Sequence, residues 1–161
     1  MAKIALEGTE FNQSVASGHI NTERFIQTGT GGGNCNAWNA QGQCVGYSST
    51  YPIMNWVGGY TTNANINGRA KATTSQVFIE GKNAILKGDR TEENDTYTVG
   101  ANERYASGQH SNTQGSVTGS NSNNVYINGK LVAIGGSTVT THANTTTALK
   151  ETGVSSTVHI G

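Results

Sequence analysis

Apolar and polar residues alternate with a period of two in three short segments of this chain, and the 3.6-residue period of a helix is almost absent. In Val77-Phe78-Ile79-Glu80 the two branched residues point to one face, and Phe78 and Glu80 point to the other. The same split holds for Val125 and Ile127 against Tyr126 and Asn128, and for Val158 and Ile160 against His159. Branched side chains pack well on a half-buried pleated surface, so the Val/Ile face is the expected core. Glu80-Gly81 and Asn128-Gly129 then predict tight hairpin turns, where glycine supplies the positive φ. A short apolar return strand comes after each turn. Gly88-Asp89 and Gly136-Ser137 release the chain into what read as long polar loops, at 9–60, 89–120 and 137–153. Thr146 to Lys150 alone has local helical character, over too few residues to stand as a helix.

Two of these segments are copies of one another. Val77-Phe78-Ile79-Glu80-Gly81-Lys82, continuing to Gly88-Asp89, recurs as Val125-Tyr126-Ile127-Asn128-Gly129-Lys130, continuing to Gly136-Ser137, at a constant offset of 48 residues. A clipped third copy, Val158-His159-Ile160-Gly161, closes the sequence, and a degenerate one, Ile66-Asn67-Gly68-Arg69, precedes the first. Repeats this small cannot bury a face alone, so the lobes must pack on one another around a shared axis. The expectation is an all-β fold of short hairpins with internal pseudo-threefold repeats (77–89, 125–137 and 157–161) and long polar loops. It would form a single domain over 1–161, with 9–57 as a loop insertion.

Composition narrows the function classes. Gly, Thr, Asn and Ser make up nearly half of the 161 residues, and hydrophobic residues only 34%, so the core is thin and needs repetition, a partner or a metal. The formal charge is zero, which removes the electrostatic footprint of a nucleic-acid binder. No apolar run reaches the length of a membrane helix, and the first residues lack the hydrophobic core of a secretion signal. On that reading Cys35 and Cys44 are expected as reduced thiols or metal ligands rather than a structural disulfide, with a loop-internal disulfide formed after release as the other reading of the pair. No G-x-S-x-G, H-E-x-x-H or P-loop pattern is present, so no enzyme is expected. Glu92, Glu93 and Asp95 read as a solvated charged face.

The run V-x-I-x-G-K, four variable positions, one further residue, then G-D (G-S in the second copy) resembles the repeat of PAAR proteins, the tips of the spikes of contractile phage tails and type VI secretion systems. The ending Gly153-Val154-Ser155-Ser156-Thr157-Val158-His159-Ile160-Gly161 is similar to that family's closing strand. The resemblance covers 63–161 and, more faintly, Ala2 to Gly8. The positions that name the family are here Asn83-Ala84-Ile85-Leu86 and Leu131-Val132-Ala133-Ile134, so the literal Pro-Ala-Ala-Arg residues are missing. The resemblance implies a small cone or prism whose base sits on a trimeric β-helical spike (hub) protein, one chain per trimer, at the tip of a virion tail baseplate assembled in the host cytoplasm. Its work would be structural: to cap and sharpen the spike and help it pierce the target envelope, with transient contact there. Phe78, Tyr126 and His159, on the exposed face, are the expected spike-binding residues.

His19, His110 and His142 fall one in each long loop. The residues alone leave scattered solvated histidines as one reading and convergence on a single ion as the other. The resemblance implies zinc near the apex, with His142, His110 and His19 as ligands and Cys44 or Cys35 as the fourth. Trp38, Trp56, Tyr47, Tyr51 and Tyr60 crowd the first loop. They read as a local cluster that orders the insertion, or as the sugar platform of a carbohydrate-binding or adhesin module using residues 38–60, which is the alternative function.

Overall fold

The computed structural model describes residues 2–73, 77–119, 124–151 and 157–160. They are all-β, without helix. The strands are β1 (Ala2–Lys3), β2 (Ser14–Gly32), β3 (Cys35–Trp38), β4 (Cys44–Tyr47) and β5 (Thr50–Lys71). The first repeat contributes β6 (Phe78–Ile79) and β7 (Lys82–Asn83), and the chain runs on through β8 (Arg90–Thr96), β9 (Glu103–Ser107) and β10 (Ser116–Val117). The second repeat contributes β11 (Tyr126–Ile127) and β12 (Lys130–Leu131), leading to β13 (Thr138–Thr140) and β14 (Thr146–Ala148). The last strand is β15 (His159–Ile160). The chain divides into two compact units. Unit 1 comprises Met1–Ile20, Thr62–Thr98 and Gly108–Gly161; unit 2 comprises Asn21–Thr61 and Val99–Ser107.

Unit 1 contains the repeat. β6 pairs with β7 and β11 with β12, each as a tight hairpin. Both central turn residues are left-handed in each: φ is 53° and 77° at Glu80 and Gly81, and 50° and 76° at Asn128 and Gly129. This is the turn whose twist matches that of the flanking strands. Glu80 tolerates a conformation usually left to Asn or Gly, and its carboxylate accepts bonds from the backbone N–H and hydroxyl of Thr157. The third hairpin is split: β1 pairs with β15, Ala2 opposite Ile160 and Lys3 opposite His159. Gly153 to Ser156 and Gly161, read as part of the closing strand, lie outside the described residues.

The three copies bond to one another in cycles. Ala5 N–H donates to Ala133 C=O, Ala133 N–H to Ile85 C=O, and Ile85 N–H back to Ala5 C=O, at 2.9, 2.8 and 2.9 Å. One step along, Glu7 donates to Asn83, Lys87 to Leu131 and Gly135 to Lys3. Each copy then closes a turn with a side-chain oxygen. Thr9, Asp89 and Ser137, all buried, accept from the N–H of Leu6, Leu86 and Ile134 at 3.1, 2.8 and 2.9 Å. These short polar side chains mimic a backbone turn. Ala2 to Thr9 is thus the second half of the third copy, with β15 as its first strand, and it is fainter in sequence because Ala2-Lys3 stands where the others carry Lys82-Asn83 and Lys130-Leu131.

Period-two alternation sends the copies to two cores. Ala5, Ile85 and Ala133 join Phe11, Ile20, Ile66, Val117, Val139 and Leu149 in the larger cluster. Ile4, Leu6, Ala84, Leu86 and Val132 form a second, with Ile79 and Ile127 packed against it. The expected inward face is therefore only half realised: Ile79 and Ile127 pack inward, but Val77, Val125 and Val158 are exposed.

Several expected loops are strands. Residues 9–57 carry β2, β3, β4 and the first part of β5, and 89–120 and 137–153 carry β8 to β10 and β13 to β14. Thr146 to Lys150 includes β14 and no helix. The signal was hidden because the inward positions are small or polar. On β2, Ser14 and Ala16 are buried while Val15 between them is exposed.

Candidate metal centre

β8 pairs with β5 from Asn65 opposite Thr96 to Lys71 opposite Arg90. That register turns Thr91, Glu93 and Asp95 to one buried face. The Glu93 and Asp95 side chains are fully buried, which corrects the reading of this run as a solvated face. An unpaired carboxylate in such surroundings is costly, and both here face histidines: Glu93 one, Asp95 three.

His19 reaches the site from β2, Asp95 from β8, His110 from the turn before β10, and His142 from the turn between β13 and β14. All four belong to unit 1. The turn that carries His142 is pinned by reciprocal Thr141 and Thr145 bonds. His110 is pinned by Asp95, which accepts its backbone N–H at 2.9 Å and donates its own N–H to the His110 carbonyl at 2.9 Å. One donor atom from each of the four side chains lies within 4.8 Å of all the others. The ring centroids are 5.0 to 5.4 Å apart.

Within a donor set that extends to 4.8 Å, four separations, to one or the other Asp95 oxygen or between histidines, are close to those a small cation holds. A tetrahedral ion with metal–nitrogen bonds of about 2.0–2.1 Å holds its donors about 3.3 Å apart. His19 Nε2 is 3.1 Å from His110 Nδ1 and 3.5 Å from Asp95 Oδ2, His110 Nδ1 is 3.2 Å from Asp95 Oδ2, and His142 Nε2 is 3.3 Å from Asp95 Oδ1. Asp95 Oδ1 and His142 Nε2 are both buried without a hydrogen-bond partner. Two unsatisfied atoms facing one another call for a shared third party, because buried polar groups are ordinarily paired. The other nitrogen of His142 donates to Glu93 Oε2 at 2.7 Å, which fixes the tautomer and frees Nε2 as an acceptor. Glu93 is itself held by the Thr91 hydroxyl and the His142 backbone N–H. A side chain at Gly115 would run into Glu93, so the absence of a Cβ there makes room for the carboxylate. The cluster can hold a metal ion.

The three expected histidines are brought together, and Cys44 is not their fourth partner. Cys35 and Cys44 form a disulfide in unit 2, with their Cα atoms 5.8 Å apart, so neither sulfur is available as a ligand. This corrects the expectation of reduced thiols. The strands β3 and β4 face each other as a hairpin and bring the two residues into bonding range, which spacing alone did not reveal. Asp95 and Glu93 were missed. The available signal was the alternation of Thr91, Glu93 and Asp95 with Arg90, Glu92, Asn94 and Thr96.

The expected spike-binding residues lie apart from this site in sequence. Phe78 and Tyr126 are 66% and 60% exposed, at matching positions of the repeat, and His159 is exposed at the third. His159 Nδ1 lies 3.0 Å from the Thr157 carbonyl. Neither a family model, nor a curated protein, nor a solved structure matches this chain.

Proposed function

We propose that unit 1 is a metal-stapled structural cap: a PAAR-like tip that seats on a trimeric β-helical spike of a contractile phage tail or related injection device and helps it breach the cell envelope. The observation that carries this reading is the cyclic bonding of Ala5, Ala133 and Ile85, which gives one polypeptide three equivalent edges. A trimer ends in three equivalent sets of unpaired strand edges, and a partner with matching symmetry satisfies all three at once. Phe78, Tyr126 and His159 supply one exposed ring at each equivalent position, the pattern such a docking face needs.

Zinc is the metal this reading assigns. Three imidazoles and a carboxylate would supply the four donors of a tetrahedral zinc, and in this reading its role is to hold the fold. Bound zinc would contribute folding free energy to a thin core and relieve two buried carboxylates. The protein is therefore read as non-enzymatic.

Two measurements test the proposal. Purified protein mixed with a trimeric β-helical spike should give a complex of one chain per three spike chains by native mass spectrometry, and Phe78→Ala with Tyr126→Ala should weaken it. Failure to associate, or equal stoichiometry, overturns the docking claim. Elemental analysis should find one zinc per wild-type chain and none in His142→Ala; metal-free wild type removes the zinc assignment.

A further inference from the structure

Unit 2 presents a surface of a different kind. The 37 residues from Phe25 to Thr61 include no charged side chain and no histidine. The four charges of unit 2 sit together, Glu23 opposite Arg104 and Arg24 opposite Glu103 on β2 and β9, and pair with one another. Arg24 also covers the Tyr60 ring and Arg104 the Trp56 ring, at 4.5 and 4.4 Å. The rest of the unit is a neutral ribbon.

That ribbon exposes large apolar side chains on both faces, among uncharged polar ones. From Thr50 to Trp56 every residue of β5 is exposed. Successive side chains alternate in direction, so Tyr51 and Ile53 stand on one face and Met54 and Trp56 on the other. Tyr51 lies over Gly31, where bare backbone gives its ring room, and Ile53 stands beside Gly29, and they nonetheless remain 60% and 41% exposed. The β3–β4 hairpin adds Trp38, Val45 and Tyr47, each more than 60% exposed. The Cys35–Cys44 disulfide joins its two strands, a staple that suits a hairpin with so little to bury.

We propose that this ribbon is a contact surface for the interfacial region of a lipid bilayer. A glycan stacks on one aromatic face, whereas a surrounding apolar medium contacts both, and this ribbon offers both. Residues 25–61 carry no ion of their own to strip of water, and Arg24 and Arg104, stacked on Tyr60 and Trp56, set the hydrated limit of the contact. Tryptophan and tyrosine favour the headgroup boundary, where their polar edges stay wet, and backbone groups along the ribbon's edges can remain hydrated at that depth. Neutrality points to apolar contact with zwitterionic lipid rather than attraction to anionic headgroups. Unit 2 alone carries this surface, and neither spike nor metal is required.

Trp38 and Trp56 are the chain's two tryptophans, so emission excited selectively from tryptophan reports on this surface alone. The test uses the full chain, oxidised, with phosphatidylcholine vesicles. The expected result is a blue-shifted emission, quenching by brominated phosphatidylcholine, and roughly tenfold or greater loss of vesicle partitioning in Trp38→Ala or Val45→Lys. Val15→Lys, at an exposed position of unit 1, should leave partitioning unchanged. Emission unaltered by vesicles overturns the inference, as does a shift produced by polysaccharide and not by lipid, binding that requires anionic lipid, or a shift that accompanies self-association without lipid. Because none of these readouts involves the spike, failure here leaves the docking proposal standing, and the reverse.

Discussion

Units 1 and 2 solve the problem of a thin core in opposite ways. Unit 1 holds every buried hydrophobic residue among those described, nearly all in two clusters, and it also buries Asp89, Glu93 and Asp95. Unit 2 buries Thr22 alone among the described residues. What it has instead is a disulfide, the paired charges on β2 and β9, two cation–π contacts and Phe25 packed 5.2 Å from Trp56. Strand content is common to both units and so says little about what holds each together. Burial is cooperative and stabilises a unit throughout; cross-links and edge contacts stabilise locally.

The contrast predicts where damage spreads. Ile85→Ala removes a fully buried side chain next to the cyclic bonds and should cost about 3 kcal/mol. A lowered urea midpoint should accompany loss of amide protection across unit 1. If the loss stays confined to 84–86, unit 1 is not the cooperative body described. Replacing both cysteines by serine should cost about 2.5 kcal/mol by the loop-entropy rule for so short a loop. That effect should appear as faster amide exchange in 35–47 with unit 1 protection intact, and a uniform loss would collapse the distinction between the units.

The smallest effect concerns pH. Glu103 in unit 2 is held below its ordinary value of 4.5, first by the Thr22 hydroxyl and then by the Gly100 N–H. Glu92 in unit 1 is lowered by its hydrogen bond and attraction to Arg69. A carboxyl lowered by folding stabilises fully above 4.5 and loses that contribution as pH falls through the depressed value. Glu92 is partly screened by solvent and Glu103 is held chiefly by neutral donors, so urea midpoints measured at about pH 6 and about pH 3 should show only a slight drop attributable to each. Glu103→Gln should flatten the acid limb seen by probes in unit 2, and Glu92→Gln the one seen in unit 1. Equal flattening of both by either variant would show that the units do not respond separately.

Part of this was legible from the residues. Repetition at fixed offset marked the hairpins, and Asn128-Gly129 marked its turn. The strands β2 and β5 were not legible, since Ser14 and Ala16 face inward while Val15, Tyr51 and Trp56 face water. A hydrophobicity pattern reads such strands as polar loop. Asp95 was invisible for a related cause: a buried acid among Arg90, Glu92 and Asn94 looks like any solvated run until its neighbours are known. The disulfide was misread because compartment was argued where strand pairing decided.

The all-β class, the copied hairpins and the three histidines worth pursuing were written in the chain itself, because periodicity and turn chemistry are local properties. Three outcomes came instead from long-range packing. Ala2 to Thr9 completes the third copy, Asp95 rather than Cys44 joins the histidines, and the aromatics of unit 2 stay exposed on both faces. The first depends on segments that meet across more than seventy residues of chain, the second on Asp95 meeting His110, His142 and His19 across 15, 47 and 76 residues, and no local pattern encodes the partner on the far side of a hydrogen bond. The third depends on what the rest of the fold leaves uncovered.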